Sequence, residues 1–421
     1  MRVYPPEEAE RRRFVEEKLF SVFKRWGFRE VITPTFEYLE VFSRNSEDKG
    51  DRVFKFVDRQ TGRLLALRYD LTPQVARMVA TTFRDRLLPL RLAYNANVFR
   101  YEEPEKGRQR EFVQLGVELV GLKVPEADAE MIAMAVEGCQ AVGLCSFQID
   151  VGQVEFLRGL LDALPASLEE RQRVRSAIRR KDALELELML EKLPASDALK
   201  GALLALPSLY GGKEILEKAA GLALNARSQE ALVNLTQVME ILDVYGLSDR
   251  VIIDLGEADA FDYHTGMIFG AFSKGLGYQL SGGGRYDDLI GSFGYPCPAI
   301  GFAFELEKVL FAMEAEGIVP KASGPDFLII DFNQDKRRAL QIARLLRGKG
   351  YSVARDIIQR DAEESLHYAE AEGIRWAVVL GGRGLKPEEM LVKEMASGKE
   401  EIHPIEAFCL GVESGSLRWR T

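Results

Sequence analysis

Cysteine is scarce and scattered. The chain of 421 residues has four, at Cys139, Cys145, Cys297 and Cys409, and no C-x-x-C pair. That spacing argues against a disulfide framework or a structural zinc site and fits a reducing compartment. Histidine is scarcer still: His264, His367 and His403 form no pair at ligand spacing, so no metal site is expected. Long apolar runs are missing too. The opening Met1-Arg2-Val3-Tyr4-Pro5-Pro6 leads into the charged Glu7–Arg13 without an apolar leader. A cytoplasmic protein, neither exported nor membrane-inserted, is the expectation. Net positive charge is absent as well: the formal balance is -9. Generic nucleic-acid binders carry a basic footprint, so small molecules or another protein are the favoured partners.

What is present is an ordinary globular composition, 47% hydrophobic and 29% charged, long enough for two or three domains. Val15, Leu19, Val22, Phe23 and Trp26 recur at helical spacing, and Gly27 sits where a helix end wants a left-handed residue. Phe28–Thr33 alternates like a strand and stops at Pro34. Residues 54–57 and 64–68 flank the turn Asp58–Gly62 as a hairpin, and 92–101 and 112–120 flank a charged loop. From about 154 to 246 the chain is rich in Leu, Ala, Glu and Arg at helical period, which predicts an all-helical insertion. Strand patterns return at 251–255 and 265–272, and a helix is expected to begin near Ala303. Pro320–Pro325 has linker composition, followed by a small βαβαβ domain with a largely parallel sheet.

Three constellations could carry chemistry. Arg100-Tyr101-Glu102 and Gly107–Phe112 lie at the ends of two strands and in their loop. Arg100 and Arg110 could clamp a phosphate or carboxylate, with Glu102 orienting an amine; a solvated charged hairpin is the competing account. Asp70 and Thr72, in Leu67–Gln74, go with Gln114, Gly116 and Glu118, which share one face of a strand. Turned inward, Gln114 and Glu118 would be costly unless they bind something polar such as an amino acid. Val113, Leu115 and Val117 could pack on either face, so a wet outer face is the alternative. Ser281–Asp287 carries a glycine run without Gly-Lys-Ser/Thr, so it is not a P-loop, and a tight strand entry explains it equally well. Cys139 and Cys145 read as core thiols rather than nucleophiles.

Over essentially its whole length the sequence resembles histidyl-tRNA synthetase and its paralogues. The helix and strand ending at Pro34 look like class II synthetase motif 1, Phe99–Glu102 with Arg110–Phe112 like motif 2, and Ala299–Lys308 like motif 3. Gly283–Asp287 matches a stretch of the histidine branch. The resemblance implies an α+β fold in which a class II antiparallel sheet with flanking helices and a helical insertion spans 1–320. It also implies an anticodon-binding-like α/β domain at 325–421. Asp70, Thr72, Gln114, Glu118, His264 and Tyr286 would then line a histidine-like pocket, and motif 1 would form a homodimer interface.

Two departures bear on activity. A synthetase arginine that stabilises the reacting carboxylate and phosphate corresponds to Asp259. The glycine and arginine of synthetase motif 3 correspond to Glu305 and Lys308. Losing one preorganised donor costs on the order of 10²–10³ in rate. A carboxylate about 4 Å from a phosphate adds roughly 4 kcal/mol of repulsion at an effective dielectric near 20. Lysine also lacks the arginine fork. Leu67–Arg77, Phe261–Gly266 and Arg180-Lys181-Asp182 resemble the paralogues that serve as regulatory subunits of ATP phosphoribosyltransferase. The resemblance therefore implies a non-catalytic subunit without a cofactor. Such a subunit activates a short-form catalytic partner and mediates histidine feedback in histidine biosynthesis. An active histidyl-tRNA synthetase is the alternative; a paralogue serving a protein or RNA partner outside that pathway is a third. Residues 326–421 hold 15 Lys+Arg and 16 Asp+Glu, a net of -1, which is less basic than an anticodon grip should be.

Overall fold

Every residue of Phe112–Val120 is buried, although the segment alternates apolar and polar side chains. A strand buried on both faces must lie inside a sheet covered on both sides. The computed structural model describes residues 3–43, 53–101, 109–256, 263–320, 324–358, 360–382 and 384–416. Two compact units divide the chain, 1–319 and 320–421.

The first unit contains strands β1 (Arg29–Glu30), β2 (Phe36–Tyr38), β3 (Lys55–Val57), β4 (Leu64–Leu67), β5 (Leu90–Phe99), β6 (Glu111–Val120), β7 (Phe147–Gln153), β8 (Tyr210–Gly211), β9 (Val251–Asp254), β10 (Met267–Ser273), β11 (Gln279–Arg285) and β12 (Ala299–Glu305). Nine of them form one sheet in the order β1-β5-β6-β12-β11-β10-β7-β9-β8. Its pairs are antiparallel except β1 with β5 and β7 with β9. The strands β2, β4 and β3 make a separate small sheet, which contains the expected hairpin.

One face of the large sheet is a dry core. Val113, Leu115, Val117 and Leu119 on β6 and Phe302 and Phe304 on β12 pack with Val15, Leu19, Val22 and Phe23 of the helix Pro6–Arg25. Helices Pro125–Ala141 and Leu306–Ala315 join the same core. Phe302 meets Phe23, Phe269 and Phe304 at centroid separations of 6.2, 5.7 and 5.6 Å. Glu307 fastens two elements, accepting from Arg12 Nη1 at 2.8 Å and from the Val113 amide at 3.1 Å. The first helix ends as its sequence predicts, with Gly27 at φ 82°.

Several expectations need correction. The strand after the first helix is only Arg29–Glu30: the Val31 amide makes the last bond to β5, at the Ala93 carbonyl, and the chain leaves the sheet before Pro34, with Ile32 turned outward, 87% exposed. Residues 299–305 are strand rather than the start of a helix, which begins at Leu306. Their apolar run is that of a sheet-centre strand, indistinguishable by periodicity from a buried helical turn. The insertion is not wholly helical, since Tyr210–Gly211 pairs with β9. Its helices, from Val154–Asp162 to Ala226–Val244, start on strong signals, with capping boxes at Ser167/Glu170 and Asn225/Ser228. Cys139 is buried, but Cys145 is exposed at the turn before β7.

In the second unit, β13 (Phe327–Asp331), β14 (Val353–Arg355) and β15 (Trp376–Leu380) are parallel as expected. Two antiparallel strands, β16 (Glu389–Glu394) and β17 (Glu400–Pro404), extend the sheet. Helices Arg337–Gly348 and Ile405–Ser414 cover one face and Ala362–Ala371 the other.

Truncating Phe302 to Ala removes the ring from the middle of the aromatic cluster and should destabilise the first unit by ~3–5 kcal/mol. Leu184→Ala, at a side chain 69% exposed, should change stability by under about 0.5 kcal/mol. Urea unfolding of the two variants checks both.

Candidate functional site

The opposite face of the sheet carries the polar residues. Adjacent strands bring Leu92, Glu118, Gly301, Gly284 and Ile268 into one row across the sheet. The next row is Tyr94, Gly116, Ala303, Gly282 and Gly270. Bulk beside Glu118 is excluded. A Cβ on Gly301 would lie 1.7 Å from Glu118 Oε2, and one on Gly116 would lie 2.5 Å from the Tyr94 hydroxyl. The glycines at 116 and 301 therefore make room for the Tyr94 hydroxyl and a carboxylate inside the sheet, and the Gln279 side chain lies over Gly270 and Gly282.

Glu118 is 1% exposed. Its Oε2 accepts from the Tyr286 hydroxyl at 2.6 Å, and its Oε1 from Thr72 Oγ1 at 2.8 Å and the Tyr94 hydroxyl at 3.3 Å. Burial pushes its pKa up to about 8; the Tyr286 and Thr72 hydroxyls oppose that and the neighbouring Asp70 adds to it. Asp70, also buried, accepts from the Tyr263 hydroxyl at 2.9 Å. Burial, reinforced by both carboxylates at Tyr94 and Tyr263 and by Glu118 at Tyr286, holds the three phenols well above the usual range, so all three remain donors. His264 stacks edge-on to Tyr263 at 5.0 Å. Burial and the nearby Arg158 lower its pKa to about 3, so its ring is neutral at physiological pH.

Local structure places these groups. Arg68 donates to the carbonyls of Asn97 and Thr33, tying the segment after β4 to β5. Gln74 fastens the helix Thr72–Thr81 by donating to the Pro34 carbonyl and accepting from Thr33 Oγ1. Asp70 and Thr72 then sit at the start of that helix, over the end of β6. Gln114 lies on the same face, 6% exposed, and its Oε1 meets no donor among the described residues.

Farther along the face Glu305 pairs with Gln114 in register. Its Oε1 lies 3.5 Å from Arg100 Nη1 and its Oε2 2.7 Å from Lys308 Nζ. Arg100 also donates through Nε to the Tyr69 carbonyl at 3.1 Å. Arg110 is exposed and lies over the Tyr101 ring at 4.8 Å. Asp259 and Glu102 fall outside the described residues.

The structure thus brings Asp70, Thr72, Glu118, His264 and Tyr286 into one buried cluster, places Gln114 on the same face, and joins Arg100, Glu305 and Lys308 in a second cluster. Tyr94 and Tyr263 belong with the first and were missed as site residues. Tyr94 lies opposite Gly116, so a tyrosine facing a glycine across an antiparallel pair was the available signal. Burial raises the Cys139 pKa to about 12, which leaves that thiol protonated. Among the described residues no His, Cys, Asp and Glu cluster could hold a metal ion. No described helix is long and apolar enough to cross a membrane.

The sequence profile described as histidyl-tRNA synthetase matches residues 1–309. A protein of Geobacter sulfurreducens named ATP phosphoribosyltransferase regulatory subunit is 43% identical over 405 residues, covering 96% of this chain and 92% of its own. One of the same name from Geobacter metallireducens is 45% identical over 392 residues, covering 93% and 90%. The crystal structure of an ATP phosphoribosyltransferase regulatory subunit/histidyl-tRNA synthetase from Bacillus halodurans is 30% identical. It superposes with a TM-score of 0.77 and covers 87% of this chain and 94% of that one.

The two buried titrating groups have opposite pH signatures. Glu118 is raised in the folded state, so it holds its proton more tightly than in the unfolded chain. Its contribution to stability is lost as pH rises from about 4.5 through about 8. Glu118→Gln should flatten that part of a melting-temperature profile. His264 is lowered, so it weakens the fold as pH falls from 6.5 toward about 3. His264→Asn should flatten the profile there.

Proposed function

The chain belongs to the histidyl-tRNA synthetase family, on its ATP phosphoribosyltransferase regulatory-subunit branch, and from that premise we propose that it binds histidine at the Glu118 cluster and passes the signal to a short-form catalytic subunit. The buried constellation of Glu118, Thr72, Asp70, Tyr263 and Tyr286 carries the proposal. Two carboxylates ringed by hydroxyl donors, with the Gln114 carbonyl without a donor farther along the same face, form a site for a small ligand rich in N–H groups. A free amino acid with an imidazole side chain meets that description. A ligand N–H or ammonium facing Glu118 would favour its ionised form, so binding should strengthen as pH approaches about 8.

The same reading takes the chain as lacking adenylate chemistry. An acid stands at position 305, which opposes a bound triphosphate, and lysine at 308 lacks the arginine fork that would hold one. A second copy of the chain is the proposed cover for the apolar side chains exposed around β1 and the small sheet. Ile32 is 87%, Phe36 52% and Leu64 48% exposed. The second unit keeps an anticodon-binding-like α/β fold, and its charge of -1 over 326–421 supports a role other than gripping RNA. Regulation of a biosynthetic enzyme is work for the cytoplasm, which fits the reducing compartment read from the cysteines.

The assay is ATP phosphoribosyltransferase activity of the short-form catalytic subunit from the same source, with and without this chain. The expected outcome is at least tenfold activation that added histidine suppresses, with the suppression lost in Glu118→Ala. If this chain leaves the transferase unchanged and instead charges tRNA with histidine, the proposal is wrong.

A further inference from the structure

A closed ring of polar bonds joins the helical insertion to the two segments that flank the Glu118 cluster. Arg285 precedes Tyr286, and its guanidinium donates to Asp128 Oδ1 through Nε at 2.9 Å and Nη2 at 2.6 Å. The other oxygen of Asp128 accepts from Asn234 Nδ2, on the insertion's last helix Ala226–Val244, at 3.5 Å. Asn234 Oδ1 accepts from Gln153 Nε2 at 2.9 Å, and Gln153 Oε1 caps the insertion's first helix, Val154–Asp162, by accepting from the Glu155 amide at 3.3 Å. From that helix Arg158 Nη1 donates to the His264 carbonyl at 2.7 Å. Thr265 closes the ring, its amide donating to the Arg285 carbonyl at 2.7 Å. Asp128 is 1% and Arg285 5% exposed. Burial raises the Asp128 pKa in spite of the arginine beside it, so the attraction falls short of the cost of burying the charge. Apolar residues of similar volume would hold these elements together as well or better. The ring therefore has a use other than stability.

We infer that this ring is the joint through which the helical insertion responds to a ligand on Glu118, with Asn234 and Arg158 as positioning residues that do not touch the ligand. A donor on Glu118 competes with the Tyr286 hydroxyl for Oε2, and a donor on Asp70 competes with the Tyr263 hydroxyl. Each tyrosine is one residue from a ring member, Arg285 in one segment and His264 in the other, so displacing either hydroxyl pulls on the ring. A network of this kind is cooperative, and its weakest member yields first. That member is the Asn234–Asp128 contact, which at 3.5 Å is at the limit of a useful hydrogen bond. Its change reaches both helices, because Gln153 bonds Asn234 on the last helix and caps the first. The inference rests on the reading that histidine binds at the Glu118 cluster, and it adds the part of the fold that registers the binding.

The test follows amide hydrogen exchange of the full-length chain with and without saturating histidine, and measures histidine affinity calorimetrically on the same samples. The variants are Asn234→Leu, which keeps the volume and removes the polar groups, and Arg158→Met, which keeps the stem and removes the donor. In the wild type, histidine should change exchange in Val154–Asp162 and Ala226–Val244 about tenfold more than in the helix Pro6–Arg25, which reports the uniform stabilisation that any bound ligand gives. Both variants should melt cooperatively and keep histidine affinity within about tenfold of wild type, while the excess response of the two helices disappears. Histidine that binds the wild type without an excess response there overturns the inference and leaves the reading of the pocket intact. An excess response that survives in either folded variant overturns it too, since the ring is then not the route. Loss of histidine binding in the folded variants makes these residues part of the pocket, and the inference fails. Absence of histidine binding to the wild type overturns the reading of the pocket and the inference with it.

Discussion

A carboxylate buried in the middle of a sheet is the constraint around which the polar face is arranged. Glu118 at 1% exposure could not be tolerated without hydrogen bonds, and three hydroxyls supply them from three parts of the chain. Thr72 needs the helix after β4, which needs Arg68 and Gln74 to moor it to Thr33, Pro34 and Asn97. Tyr286 needs the chain to turn just after β11, where its amide donates to the Ala299 carbonyl. Tyr94 needs Gly116 opposite, and Glu118 itself needs Gly301. Even with these partners, burial holds its proton to about pH 8.

How much of this the sequence could tell follows from what each signal measures. The alternation in Gln114, Gly116 and Glu118 established a common face from strand period alone, but not whether that face was wet. The answer lay in the helix Thr72–Thr81 and the Tyr263 segment, which cover it from distant parts of the chain. Asp70, Thr72 and Tyr286 came from family motifs, and position in a motif carries side-chain identity without geometry. Tyr94 stayed hidden because a tyrosine in an apolar strand reads as packing. The helix expected to begin near Ala303 begins at Leu306, because the strand before it is buried on both faces and has no period to read. Pro34 gave only an outer limit for the first strand, which ends at Glu30, because a lost donor forbids pairing at one position without saying where pairing stops before it. In the second unit the parallel core was legible, whereas β16 and β17 were not, since Glu, Lys and His dominate them.

The two clusters on the face are chemically opposed. At one end, buried carboxylates accept from the hydroxyls of Thr72, Tyr94, Tyr263 and Tyr286. At the other, an acid already neutralises the cations that an anion would use. Stability gains little from the second cluster, because partly exposed ion pairs contribute ~0–1 kcal/mol.

The most direct measurement is calorimetric titration of histidine into the wild-type chain and into Glu118→Gln at pH 8. The account predicts saturable binding to the wild type, with affinity reduced at least tenfold in the variant while its melt stays cooperative. Equal affinity in the two proteins, or no binding to either, would contradict it.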